Sequence, residues 1–213
     1  MNNIVFLHSP MDALYLNVSI QSLFVVTLYS SPKIYIGLRK EDPPEVIGLV
    51  ESLAPSIQAL KTRGSLVNHM LELQKQIGME DLIFLTPPGT IFLRESAFAT
   101  VQHQFLENLD LGMIYTSSMI LEDRKVSYPS LLGPIVVRGN LFKDADFSKI
   151  DDVGIGALLS HKVLERKLLV SEGSELGTYT YSSSIPSVLG EDVRSGWIKT
   201  LNYLKEIENG RSS

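Results

Sequence analysis

The chain has 213 residues, 44% hydrophobic and 20% charged, which excludes a disordered, collagen-like or coiled-coil chain. That length supports one α/β domain whose core needs no metal or disulfide staple. The formal net charge is −5 with the basic residues scattered, so there is no electrostatic footprint for nucleic acid, and the absence of Cys excludes thiolate nucleophiles, disulfides and cysteine-held metals.

Residues 4–7, Ile-Val-Phe-Leu, read as a first strand. No basic stretch precedes them, so the N-terminus does not read as a signal peptide. The longest apolar run, inside 20–29, is about half a membrane span. Both readings point to a soluble, cytoplasmic protein without a transmembrane segment. After Asp12, Leu14, Val18 and Leu23 recur at helical spacing. Residues 33–38 form a second strand, and Pro43-Pro44 opens a helix carrying Val46, Ile47, Val50 and Leu53.

A third strand at 56–60 runs into Arg63-Gly64-Ser65, where Ser65 caps a helix with Leu66, Met70, Leu73 and Ile77 on one stripe. A fourth, central strand spans 81–85. It is followed by a loop at 86–90 and a helix marked by Phe98, Val101, Phe105 and Leu109. Four β–α units in a row imply a mainly parallel sheet. Beyond Leu109 come strands at 112–116, 125–128 and 134–138 without long helices between them, which predicts a mixed or antiparallel second half. A helix resumes at Asp151-Asp152 with Ile155, Leu159 and Val163. A strand at 167–170, a loop at 173–187 and an amphipathic closing helix carrying Trp197, Ile198, Leu201 and Leu204 complete the chain.

Several common chemistries lack their residues. Where a dinucleotide fold needs G-x-G-x-x-G, this chain has His8-Ser9-Pro10-Met11-Asp12, and neither a phosphate-binding G-x-x-x-x-G-K-[ST] loop nor a G-x-S-x-G elbow is present. His8, His69, His103 and His161 form no metal-binding pattern. His69 and Glu72 stand at i, i+3, a spacing better explained as a surface contact than as ligation. The carboxylates are more informative, because Asp144, Asp146, Asp151 and Asp152 gather where strands hand over to a helix. Asp151 and Asp152 suit a helix N-terminus, and a carboxylate so placed also suits a general base beside an acceptor hydroxyl. Arg39 and Arg63 follow the second and third strands, at the carboxyl ends where open α/β sheets bind ligands. Trp197 reads as packing, and Tyr179 and Tyr181 as an acceptor contact, a lid or a short edge strand.

The order of elements over residues 3–170 resembles the GT-A fold of nucleotide-sugar glycosyltransferases, in particular an inverting family. The resemblance rests on Val18-Ser19-Ile20-Gln21-Ser22-Leu23 before the second strand and Arg63-Gly64-Ser65-Leu66-Val67-Asn68 after the third. It continues through Asp110-Leu111-Gly112-Met113-Ile114-Tyr115 and Asp151-Asp152-Val153-Gly154-Ile155-Gly156-Ala157-Leu158-Leu159. The family's D-x-D metal motif falls at Thr86-Pro87-Pro88, with no carboxylate before Glu95.

The resemblance implies a nucleotide-sugar-binding half at about 1–110, an acceptor and base half at about 111–170 and a closing tail at 171–213. It implies transfer of a sugar from a nucleotide-sugar donor to a saccharide, lipid or protein acceptor. Asp152 is then the general base beside Asp151. Ser9, Arg39, Arg63, Asn68, Thr86 and Thr90 lie on the donor side, and Gly133 and Arg138 on the acceptor side. The resemblance leaves room for a divalent cation, Mn or Mg, whose usual aspartates are missing here; without it, cationic side chains or a helix terminus have to hold the diphosphate. The rival expectations are a non-catalytic GT-A-like binding or assembly protein and an unrelated nucleotide-binding α/β protein.

Overall fold

Short runs of Ile, Val, Leu and Phe form the strands of a seven-stranded sheet, and the amphipathic segments between them cover both its faces. The computed structural model describes residues 1–8, 13–26, 32–54, 56–63, 65–87, 89–121, 126–131, 133–173, 178–180 and 193–210. In chain order these form β1 (Asn3–His8), α1 (Ala13–Val26), β2 (Lys33–Arg39), α2 (Pro44–Ser52), β3 (Ile57–Thr62), α3 (Leu66–Gln76) and β4 (Leu82–Thr86). Then come β5 (Thr90–Phe92), α4 (Ala97–Glu107), β6 (Leu111–Tyr115), β7 (Ser118–Leu121), β8 (Val126–Pro129), β9 (Ile135–Arg138) and α5 (Gly139–Lys143). Two 3-10 turns, Phe147–Lys149 and Asp152–Gly154, lead to α6 (Ile155–Glu165), β10 (Leu169–Glu172), β11 (Thr178–Thr180) and α7 (Val193–Asn209).

The strand order is β10-β6-β9-β4-β1-β2-β3, and every neighbouring pair is parallel except those made by β9, which runs antiparallel to both β4 and β6. The carboxyl ends of β1, β2, β3, β4, β6 and β10 therefore share one rim of the sheet, and β9 begins at that rim. Two small antiparallel pairs, β5–β11 and β7–β8, stand outside the sheet. Alternation along the strands divides the core. On one face Val5, Leu7, Ile36 and Phe84 meet α1, α2 and α4, while on the other Ile4, Phe6, Ile83 and Leu85 meet α3, α5, α6 and α7. All of β4 is buried, as its continuous apolar run predicts for a central strand.

The expected β–α order and the mixed second half are present. The differences are local. On α1 the buried stripe is Leu16, Ile20 and Leu23, and Leu14 is exposed, because the helix is apolar nearly all round and its periodicity does not choose a face. The third strand continues to Thr62, and the fourth helix ends at Glu107, leaving Leu109 on the surface. β5, β7 and α5 arise where loop or undivided strand was expected, each too short to carry a period. β10 starts at Leu169 rather than Lys167, since Lys167 takes a left-handed φ of 58° to end α6. Ser65 occupies the N-cap position of α3 without making the capping bond expected of its side chain.

Candidate functional site

The ends of β2 and β3 lie side by side at the rim. Gly37 lets β2 pass close to α3, since a Cβ there would stand 2.8 Å from Phe6 Cζ and 3.0 Å from the His69 ring. Into that space comes the buried imidazole of His69, with its Nε2 at 3.2 Å from the Leu38 carbonyl oxygen. Burial is the main force pushing the His69 pKa down, and Arg39 adds to it. The Leu38 bond, Asp42 and Asp152 act the other way. The neutral ring then donates Nε2–H to Leu38. One residue on, the Arg39 amide donates to the carboxylate of buried Asp42 at 2.7 Å. The backbone presenting Arg39 is thus held on both sides.

Beyond it a pocket of about 450 Å³ is lined by Leu38, Arg39, Lys40, Ile47, Lys61, Thr62 and Arg63. Four of the seven are cations. Lys61 pairs with Glu51 at 3.0 Å, whereas Arg39, Lys40 and Arg63 form no ion pair among the described residues. The Thr62 hydroxyl is buried and has no hydrogen-bond partner among the described residues. Asn68 lies one turn into α3 and donates its Nδ2 to the Arg63 carbonyl at 2.7 Å, fixing the backbone that carries Arg63. Arg39, Arg63 and Asn68 therefore lie together at the ends of β2 and β3. Sequence reasoning missed Lys40, Lys61 and Thr62. For Lys61 and Thr62 the signal was the alternation of exposed and half-buried side chains at the end of β3, and for Lys40 its place just past β2, both of which show only once those strand ends are known.

Asp152 belongs to the same rim. Its Oδ2 accepts the Leu66 amide at 3.0 Å and its Oδ1 the Val67 amide at 2.8 Å, so one carboxylate satisfies two first-turn donors of α3. Asp152 does cap a helix, but one that lies 86 residues earlier rather than its own. Asp151 points elsewhere and pairs with Lys199 of α7 at 2.9 Å.

At the end of β4, Thr86 is fully buried, with no partner for its hydroxyl among the described residues, Gly89 turns the chain at φ 75°, and Thr90 starts β5, also fully buried. These residues offer no carboxylate, and among the described residues no three His, Asp or Glu side chains gather to hold a metal ion. The divalent cation that the resemblance implies therefore has no matching donor set among the described residues. His69 is committed to Leu38, and Glu72 pairs with Lys75.

Gly133 lies at the rim just before β9, packed against Thr116 and Ser117. Arg138 does not join it. The pairing of Arg138 with Leu82 puts Arg138 at the opposite, amino-terminal end of the sheet. There its guanidinium donates to the carbonyls of Leu111 and Phe105 at 2.7 and 2.8 Å and covers the Phe105 ring. The expected donor residue Ser9 and the aromatic Tyr181 lie outside the described residues.

No protein-family model and no curated protein matches the sequence. Solved structures do. The 4-diphosphocytidyl-2C-methyl-D-erythritol synthase of Anaerococcus prevotii superposes with a TM-score of 0.56 at 12% identity, over 88% of this chain and 96% of that one. This chain is GT-A-like in fold. A fragment of S. aureus TarS in complex with UDP-GlcNAc gives 0.56 at 12% identity over 82% of this chain, which spans only 56% of that fragment. CMP:2-keto-3-deoxy-manno-octonic acid synthetase complexed with CTP gives 0.50 at 10% identity over 81% and 89%. No helix among the described residues is long and apolar enough to cross a membrane.

Proposed function

We propose that this chain is a nucleotide-binding transferase that moves a sugar from a nucleotide-sugar donor to a hydroxyl of a saccharide, lipid or protein acceptor. The observation that carries the reading is the rim itself. A pocket with three cations unpaired among the described residues and the carboxylate of Asp152 flank the same short β3–α3 connection, at the strand ends where open α/β sheets bind ligands. Solved structures of the same fold contain UDP-GlcNAc and CTP, which supports a nucleotide ligand.

The reaction is a direct displacement. The acceptor oxygen bonds to the sugar's anomeric carbon as the bond from that carbon to the phosphate oxygen breaks. The nucleoside diphosphate leaves with the electron pair, and the acceptor proton passes to Asp152. Each Asp152 oxygen already accepts one amide and keeps a second lone pair for that proton. Arg39 and Arg63 hold the diphosphate, with Ser9 on the nucleotide side and Gly133 bordering the acceptor. Ordering runs from a donor half at about 1–110 to a base half at about 111–170, with the tail closing the domain.

The test is Asp152→Asn assayed for transfer from UDP- and GDP-sugars. Loss of a general base predicts turnover lower by about 10²- to 10⁴-fold with donor affinity retained. Retained turnover overturns the base assignment. One observation favours a second reading, a non-catalytic binding or assembly module: both Asp152 oxygens are engaged by α3 and Asp151 is neutralised by Lys199. Nucleotide-sugar binding by the wild-type chain with neither transfer nor hydrolysis identifies that module.

A further inference from the structure

We propose that the pocket between the ends of β2 and β3 binds the donor's diphosphate with side-chain cations alone, so that nucleotide binding needs no divalent metal. The inference rests on the nucleotide-binding reading above and adds to it the means of charge neutralisation. It begins with a disagreement between this chain and its fold. At the end of β4, where the resemblance expects an acidic pair, stand Thr86 and Pro87, both buried, followed by a glycine turn, and the chain has no carboxylate between Asp81 and Glu95. Asp81 cannot substitute. It lies at the other end of β4 and accepts bonds from Asn2 and Gly78.

The cations lie two strands away. Arg39, Lys40 and Arg63 bring three positive charges to one concavity, without an ion pair among the described residues and on a chain whose net charge is −5. A diphosphate ester carries two to three negative charges, so the two sets balance. Arg39 is half-buried and Lys40 and Arg63 are exposed, and all three line one cavity of about 450 Å³ that also has an apolar side, Leu38 and Ile47. That size lies within the usual range for small-molecule sites.

A further feature favours an anion. The backbone at Arg39 is fixed by His69 and Asp42, and that at Arg63 by Asn68. Two guanidiniums on a braced backbone suit the planar, paired bonding that phosphate oxygens accept, and less ordering is lost on binding.

The experiment is calorimetric titration of the full chain with inorganic pyrophosphate and with UDP, each in EDTA and then in Mn²⁺. Wild type, Lys40→Ala, and the double variant Arg39→Ala/Arg63→Ala are compared, with thermal unfolding to verify folding. Expected is pyrophosphate binding in EDTA that Mn²⁺ does not tighten, weakened at least ~10-fold by the double variant and less by Lys40→Ala, and weakening further with salt. Binding that appears only with Mn²⁺ overturns metal-free capture while leaving the nucleotide reading standing. Binding in EDTA that a folded double variant keeps overturns the pocket. Pyrophosphate binding lost in that variant, with UDP no tighter than pyrophosphate, upholds the anion pocket and counts against the nucleotide. No binding of either probe overturns the proposal.

Discussion

His69 sits between the Phe6 ring and the end of β2, 2% exposed, with one hydrogen bond to the Leu38 carbonyl. Nothing in the sequence marks it. Histidine has no strong burial preference, and its partner is a backbone atom 31 residues earlier, so only the i, i+3 relation to Glu72 was visible. Arg39 and Arg63 were legible because strand ends can be located from apolar runs. Arg138 was legible only as a strand residue, since its role depends on β9 running antiparallel. His69→Phe keeps a ring in the space beside Gly37 but strands the buried carbonyl, which predicts a loss of about 1–3 kcal/mol in urea unfolding, partly recovered by His69→Gln. Its lowered pKa has a direction too. Between the ordinary value of 6.5 and the lower folded value, the unfolded chain binds more protons than the native one. The His69 contribution to stability is therefore present above pH 6.5 and lost as pH falls below it. Denaturant midpoints from pH 5 to 8 should show that loss in wild type and a shallower one in His69→Gln. Equal slopes count against the assignment.

The N-terminus of α3 shows how an element's boundary can be readable while its cause is not. The apolar stripe of Leu66, Met70 and Leu73 located the helix, and Ser65 stood where a cap belongs. The structure supplies the acceptor from Asp152 instead, and Ser65 makes no side-chain cap bond. Capping across the fold leaves no local pattern, because the capping residue and the helix are joined only by tertiary packing. A charged acceptor shared by two amides is also stronger than a hydroxyl cap. Asp152→Ala is therefore expected to lower stability by about 1.5–3 kcal/mol, since it removes a charged hydrogen-bond acceptor from two helix donors. Ser65→Ala, which sequence alone would rank as the damaging change, should stay within about 0.5 kcal/mol of wild type. Chemical denaturation of the two variants side by side decides between them. A larger loss for Ser65→Ala would reverse the account of what holds α3, and with it the placement of Asp152 at the rim.

Across the molecule, the repeated strand–helix order made the parallel sheet and its ligand-binding rim legible, because each βα unit must cross over the sheet the same way. The reversal at β9 was less so, since a four-residue strand carries no sign of its direction. Least legible was how much of the fold depends on its last helix. Trp197 and Leu204 of α7 are buried in the same core as Ile83, Leu85 and Phe142, and α7 packs on the Asp152–Gly154 turn and on α6. Gly196 approaches the Asp151 side chain, and Lys199 pairs with it. The closing helix thus holds the turn that delivers Asp152 to α3, which ties the C-terminal part of the chain to the rim formed by β2 and β3. Trp197→Ala should then act on two observables. Emptying so large a site predicts a loss of about 3–5 kcal/mol. In a domain of this size that lowers the melting temperature by roughly 6–20 °C. If α7 positions the turn, the variant should also raise amide exchange at Leu66 and Val67 well below its melting temperature. A destabilised variant whose α3 amides stay as protected as wild type would show that α7 only covers the core, leaving Asp152 held by α6 and the strands alone.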